Sequence, residues 1–194
     1  MTYYRGSLSM FTAGCLLAIA VPAASNPVSE GTGYAGGMFT QLTYDEDGVS
    51  EDAEPTALIA RLGYFATDYF AVEGRLGIGL SDDTVSVTGP DGFGGTVTAD
   101  VDVELDRLFG AYAAGYLPLG DVAAAYGLVG ITNAKATVSA NGFSDSDTDT
   151  GLGYGVGIEF YPTEEFGLNA EYMQYLDESG YDLSALSIGA KFLF

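Results

Sequence analysis

The sequence predicts an all-β fold, an eight-stranded antiparallel up-and-down transmembrane β-barrel. Three observations predict it. Apolar residues alternate with small or polar ones at a period of two along most of the chain, the side-chain period of a strand. The last such run places Phe194, Phe192, Ala190, Ile188 and Leu186 on one face, with Leu193, Lys191, Gly189 and Ser187 on the other, and no residue follows to cover the apolar face. A membrane would cover it, and a sheet can cross lipid only as a closed barrel, because hydrocarbon offers no partner to an unpaired backbone group.

Composition agrees. The 194 residues suit one domain and include 28 Gly and 25 Tyr plus Phe, which favours a tightly curved sheet with interfacial rings over a helical protein. With 6 Lys+Arg against 27 Asp+Glu, the net charge of −21 argues against nucleic acid as a partner and against simple attraction to anionic lipid.

The segments follow in order. Residues 1–25 read as a cleaved signal peptide: Arg5 is the one charge before Glu30, an apolar run spans Met10 to Ala24, and small residues close it. Cleavage is expected after Ser25, with Ala23 as the alternative. Cys15 follows Ala13-Gly14 as in part of a lipobox, but most of the apolar run lies after it, which disfavours lipidation. No stretch of ~20 apolar residues follows Ser25, so any crossing must use strands.

Residues 26–194 then form the barrel domain, with alternating segments near 33–44, 56–65, 69–80, 100–116, 122–138, 151–161, 166–176 and 183–194. Leu58, Ala60, Leu62 and Tyr64 oppose Ile59, Arg61 and Gly63; Phe70, Val72, Leu76, Ile78 and Leu80 oppose Glu73 and Arg75. In 122–138, Tyr126 and Leu128 are assigned outward and Asn133 and Lys135 inward. The fourth segment changes phase near Asp106-Arg107, which a β-bulge there would reconcile; alternatively, the residues before 106 belong to a hairpin beyond the membrane. Connections at 66–68, 117–121 and 162–165 are short, whereas 45–55, 81–99, 139–150 and 177–182 are mostly longer and polar, the asymmetry of outer-membrane barrels. Both termini would then be periplasmic. A soluble lipocalin-like barrel or sandwich also alternates, but its polar face would carry more charge than the Gly, Ala and Ser seen here.

The charges divide by place. Nineteen of the 27 carboxylates lie in or beside the four longer connections, making an acidic extracellular rim. Within the wall, Glu73, Glu159 and Glu171 balance Arg61, Arg75 and Lys191. A narrow lumen is poorly hydrated, so these six are expected to pair. A turn centred near Thr67 places Arg61 directly across from Glu73, a pair extended by Arg75 and the other carboxylates. Such a network either plugs and stiffens the lumen or gates a narrow path for ions or small solutes; a bulk porin would need ~16–18 strands.

Catalysis finds little material. With no His, Ser-His hydrolysis, His proton transfer and His metal sites are excluded. No cofactor motif is present. Asp145-Ser-Asp147-Thr-Asp149 matches the start of a calcium loop, but Thr150 and Val156 stand where that loop needs Gly and Glu, so a solvated acidic loop is the simpler reading.

The segments Val72-Glu73-Gly74-Arg75-Leu76-Gly77, Tyr126-Gly127-Leu128-Val129-Gly130, Gly153-Tyr154-Gly155-Val156-Gly157, Asn169-Ala170-Glu171-Tyr172 and Ser187 to Phe194 carry a likeness. Through them the chain resembles the small bacterial outer-membrane β-barrel family that includes the barrel of outer membrane protein A and related surface antigens. The resemblance implies insertion by the outer-membrane assembly machinery, which reads a terminal strand ending in an aromatic, here Phe192 and Phe194. It implies no catalytic residues. The expected role is structural or surface-interaction in the Gram-negative outer membrane, as a monomer beside lipid and lipopolysaccharide, with divalent cations bridging the acidic loops to lipid phosphates. The alternative is a narrow channel.

Overall fold

The computed structural model describes residues 28–46, 54–81, 83–90, 96–140, 143–178 and 181–194. The expected signal segment 1–25 and its cleavage sites lie outside these. Among the described residues there are nine strands: β1 (Gly33–Glu46), β2 (Thr56–Thr67), β3 (Phe70–Ser81), β4 (Asp83–Pro90), β5 (Thr96–Pro118), β6 (Ala123–Ala140), β7 (Phe143–Thr163), β8 (Phe166–Glu178) and β9 (Tyr181–Leu193). All pairings are antiparallel, in the order β3-β2-β1-β9-β8-β7-β6-β5-β4, and β3 also pairs with β5. β3 and β4 lie end to end along β5, one facing Leu108–Gly115 and the other Thr96–Val103. They act as one wall strand, so the cylinder is a closed eight-stranded barrel.

Closure joins the first strand to the last. β1 and β9 pair from Tyr34↔Leu193 to Glu46↔Tyr181. Beyond that ladder, the Gly33 and Phe194 backbones exchange hydrogen bonds of 2.8 and 2.9 Å.

The outer wall is apolar. Leu62, Val72, Ile131, Val156 and Ile188 are among its exposed side chains, Ile188 at 64%. In water such a surface would be unstable; against lipid tails it is the required one. Tyr64, Tyr69, Phe70, Phe160, Phe166, Phe192 and Phe194 are exposed near the end that carries the short connections, where amphipathic and aromatic rings suit a lipid–water boundary.

Two expectations change. The segments 81–99 and 139–150 are not loops throughout: β4 pairs with β5, and β6 runs against β7 as far as Ala140↔Phe143. Three ladders therefore continue beyond the apolar belt as a β4–β5–β6–β7 sheet. Both readings of the phase fault at Asp106-Arg107 find a counterpart, because the β5–β6 register shifts between Leu105 and Arg107 and the residues before it continue as a hairpin.

The phase of β6 also differs from expectation. Tyr126 and Leu128 face the lumen at 4% and 6% exposure, while Val129 and Ile131 face outward. Asn133 and Lys135 share the outward phase, not the inward one. The reason is that the lumen takes large rings as readily as lipid does, so on β6 the bulkier face of the lower half is the inner one.

Candidate functional site

The barrel lumen collects the charged residues singled out in the sequence. Arg61, Glu73, Arg75, Glu159, Glu171 and Lys191 all point inward, and none exceeds 5% exposure. Each sits on the inner phase of its strand, on β2, β3, β3, β7, β8 and β9 respectively.

They join in one alternating chain. Lys191 Nζ lies 2.6 Å from Glu159 Oε2, and Glu159 Oε1 accepts from Arg61 Nη2 at 3.3 Å. Arg61 Nη2 lies 2.7 Å from Glu73 Oε2, and Arg75 Nε donates to Glu73 Oε1 at 2.7 Å. Arg75 then meets Glu171 bidentately, at 2.6 and 2.7 Å. The order is Lys191–Glu159–Arg61–Glu73–Arg75–Glu171, with equal positive and negative charge. Bidentate arginine–carboxylate contacts are among the strongest charge-assisted hydrogen bonds.

The register that brings Arg61 to Glu73 is not the expected one. Glu73 stands opposite Gly63, and Arg61 stands opposite Arg75. The turn falls at residues 68–69 instead of around Thr67, giving Thr67↔Phe70, and a one-residue shift between Phe65 and Thr67 recovers one position. The ladder therefore lies two residues from the expected register, and the Arg61–Glu73 contact runs diagonally across the hairpin.

Tyrosines complete the chain, and sequence reasoning missed them. Tyr34 donates to Glu73 at 2.5 Å, Tyr126 donates to Glu171 at 2.9 Å, and Tyr161 donates to Glu159. Arg75 Nη1 donates to the Tyr175 hydroxyl at 3.3 Å. A signal for two of them was present in the glycines. A Cβ at Gly63 would fall 2.1 Å from Tyr34 Cζ, and one at Gly157 would fall 2.4 Å from Tyr126 Cζ. Each ring lies over the bare backbone of a neighbouring strand, so an inward glycine marks the seat of an inward ring.

Apolar layers flank the charges. Toward the long hairpins lie Leu42, Ala57, Ile59, Leu105, Leu108, Met173, Leu176 and Leu183, all buried. At the other end Val28, Phe65, Tyr116 and Leu193 are buried, and the segment holding Val28 is tied to the wall by hydrogen bonds between Gly31 N and Phe65 O and between Phe65 N and Thr32 O.

The remaining candidates lie elsewhere. Asp145, Asp147 and Asp149 belong to β7, paired with Val138, Ala136 and Ala134, and not to a loop. Alternate residues of an extended strand stand side by side in a row and do not wrap a central ion as the turns of a calcium loop do. Among the described residues no group of three or more acidic, His or Cys side chains is placed to hold a metal. Phe192 and Phe194 project from the outer wall beside the closing seam.

Known proteins share this fold. The barrel is similar to Ail, the attachment invasion locus protein of Yersinia pestis, with TM-score 0.61 and 23% identity over 85% of this chain and 99% of that one. It is similar to Neisserial surface protein A, with TM-score 0.58 and 18% identity over 84% and 99%. It is also similar to the N-terminal β-barrel domain of Pseudomonas aeruginosa OprF, with TM-score 0.54 and 17% identity over 85% and 98%. At these identities the likeness is one of fold. Among curated proteins, none matches the sequence. The family model described as "Outer membrane protein beta-barrel domain" matches residues 11–194. The chain therefore belongs to the outer membrane protein β-barrel domain family, and it is an outer-membrane protein.

Proposed function

We propose that this barrel is closed to solutes and acts at its surface, as a structural element of the membrane and an interaction surface above it. The observation that carries this reading is the six-membered charge chain packed across the lumen with apolar layers on both sides. Each charge has a partner, so water has little to gain by entering. The absence of His leaves no histidine-dependent chemistry, and the proposal is of a non-enzymatic, monomeric protein.

In this reading both termini are periplasmic and the β4–β7 sheet projects outside the cell. Phe192 and Phe194 serve as the mark read by the assembly machinery. The acidic connections sit beside lipopolysaccharide with divalent cations between them. One solved structure of Ail is a complex with the heparin analogue sucrose octasulfate, a polyanion. With 27 acidic against 6 basic residues, this chain repels such a ligand and favours cationic or cation-bridged partners.

A narrow channel is the second reading, and one contact favours it. Arg61 Nη2 reaches two carboxylates, Glu73 at 2.7 Å and Glu159 at 3.3 Å, so it has an alternative partner if one pair breaks. Planar-bilayer recording of the refolded barrel and of Glu73→Ala separates the two readings. A closed barrel gives no stepwise conductance from the wild type. Sustained open steps from the wild type would overturn the closed-barrel reading, and silence from both proteins would remove the channel.

A further inference from the structure

Lys191 is seated with more care than charge balance requires. On β9 it faces Gly36 of β1 on one side and Gly167 of β8 on the other. A Cβ at Gly36 would fall 2.3 Å from the Ala190 carbonyl oxygen and 2.8 Å from Lys191 Cβ. A Cβ at Gly167 would fall 3.1 Å from Tyr161 Cε1 and 3.4 Å from Lys191 Cγ. Bare backbone on both flanks thus lets the lysine stem lie along the inner wall.

The stem ends in an aromatic cage. Nζ lies 4.2 Å from the ring centre of Tyr34, 5.2 Å from Tyr116, 5.3 Å from Phe65 and 5.5 Å from Tyr161. Glu159 supplies the counter-charge at 2.6 Å. Ring faces attract a desolvated ammonium, which explains how a lysine is held where it has one carboxylate beside it.

The parts come from all round the cylinder. Tyr34 is on β1, Phe65 on β2, Tyr116 on β5, Tyr161 on β7 and Lys191 on β9. The cage is complete only when the barrel is closed. The seam it spans, β1 with β9, joins the two ends of the sheet in sequence and closes the longest loop of any pairing in the barrel.

We propose that Lys191 is an internal latch on this seam. Its ammonium, held by rings from four other strands, must leave the cage before β9 parts from β1, and its departure would strand Glu159 beside a single arginine. The latch holds whether or not the lumen conducts.

Hydrogen exchange of backbone amides in the lipid-embedded barrel tests this, with wild type, Lys191→Met and Phe65→Leu compared. Lys191→Met keeps the length of the stem and removes the charge. It is expected to speed exchange of the β1 and β9 amides by roughly tenfold, the scale of desolvated cation–ring contacts, with the β5–β6 amides unchanged. Phe65→Leu keeps every charge and removes one ring; it is expected to speed the same amides by a smaller factor, and to add little on top of Lys191→Met. Unchanged seam exchange in both variants, or equal acceleration in every strand, would overturn the latch. If Lys191→Met does not fold, Phe65→Leu decides alone: acceleration confined to the seam supports the latch, and any other pattern overturns it.

Discussion

Arg61 stands directly across the β2–β3 ladder from Arg75, both side chains buried inside the barrel, and Glu73 divides its two carboxylate oxygens between them. Like charges directly opposite one another on a sheet are destabilising, so the pair is tolerable only because Glu73 lies diagonal to one and on the same strand as the other. Glu73→Gln removes that division while keeping the volume. It is expected to cost about 3–5 kcal/mol, the usual result of breaking a buried ion pair and leaving its partners uncompensated. The denaturant midpoint of the lipid-embedded or detergent-solubilised barrel, compared with wild type, gives the measurement; a shift of under about 1 kcal/mol would show the two arginines to be adequately held by Glu159 and Glu171.

The glycines give a prediction with an internal control. A Cβ at Gly130 would fall 2.1 Å from the Ala111 carbonyl oxygen and 2.6 Å from Tyr112 Cδ1, a clash with backbone that cannot swing away. A Cβ at Gly115 would meet nothing nearer than 3.6 Å, on the Phe70 ring. Gly130→Ala is therefore expected to destabilise by about 1–3 kcal/mol through overpacking, and Gly115→Ala to be neutral or slightly stabilising. Gel-shift unfolding by heat reads both on one scale.

Much of the barrel was legible because lipid imposes a simple rule on the outer face. β2, β3, β7 and β9 alternate cleanly: Leu58 to Tyr64, Phe70 to Leu80, Leu152 to Phe160 and Leu186 to Phe194 are exposed as their periodicity requires. β6 misled because Ala125 and Gly127 face lipid while Tyr126 and Leu128 face the lumen, reversing the expected size difference. The charged lumen residues could be named from the sequence because charge inside a narrow wall is costly and therefore conspicuous. Their partners could not, since the two-residue offset of the β2–β3 register comes from the turn falling after Thr67 together with a one-residue irregularity at Phe65–Thr67, and periodicity records neither.

The bulge on β5 carries a separate ion pair above the apolar belt. Lys135 Nζ donates to Asp106 Oδ2 at 2.7 Å, and Thr137 donates to the same oxygen at 2.9 Å. These hydrogen bonds, that from Lys135 first, hold the Asp106 carboxyl below its ordinary value. A depressed carboxyl contributes stability above its unfolded-state pKa and loses it as pH falls through the lower folded value. Both side chains are about three-tenths exposed, so Lys135→Ala is expected to cost no more than about 1 kcal/mol at neutral pH and nothing in strong acid. Denaturant unfolding of wild type and variant across acidic to neutral pH checks the sign: a gap that widened on acidification would contradict it.

The chain contains no Trp, so a single introduced indole reports the orientation of β6 without background. Ile131 is 61% exposed on the outer wall, whereas Tyr126 is 4% exposed, stacked 5.2 Å from the Tyr116 ring and over Gly157. Ile131→Trp is expected to emit at short wavelength and to be quenched strongly by lipids brominated along the acyl chain. Tyr126→Trp is expected to resist the same lipids, because the wall separates its ring from them, and to lower stability by about 1–3 kcal/mol through overpacking and loss of the Glu171 hydrogen bond. The opposite quenching order would put Tyr126 in lipid, remove its hydroxyl from Glu171, and undo the chain of charges that fills the lumen.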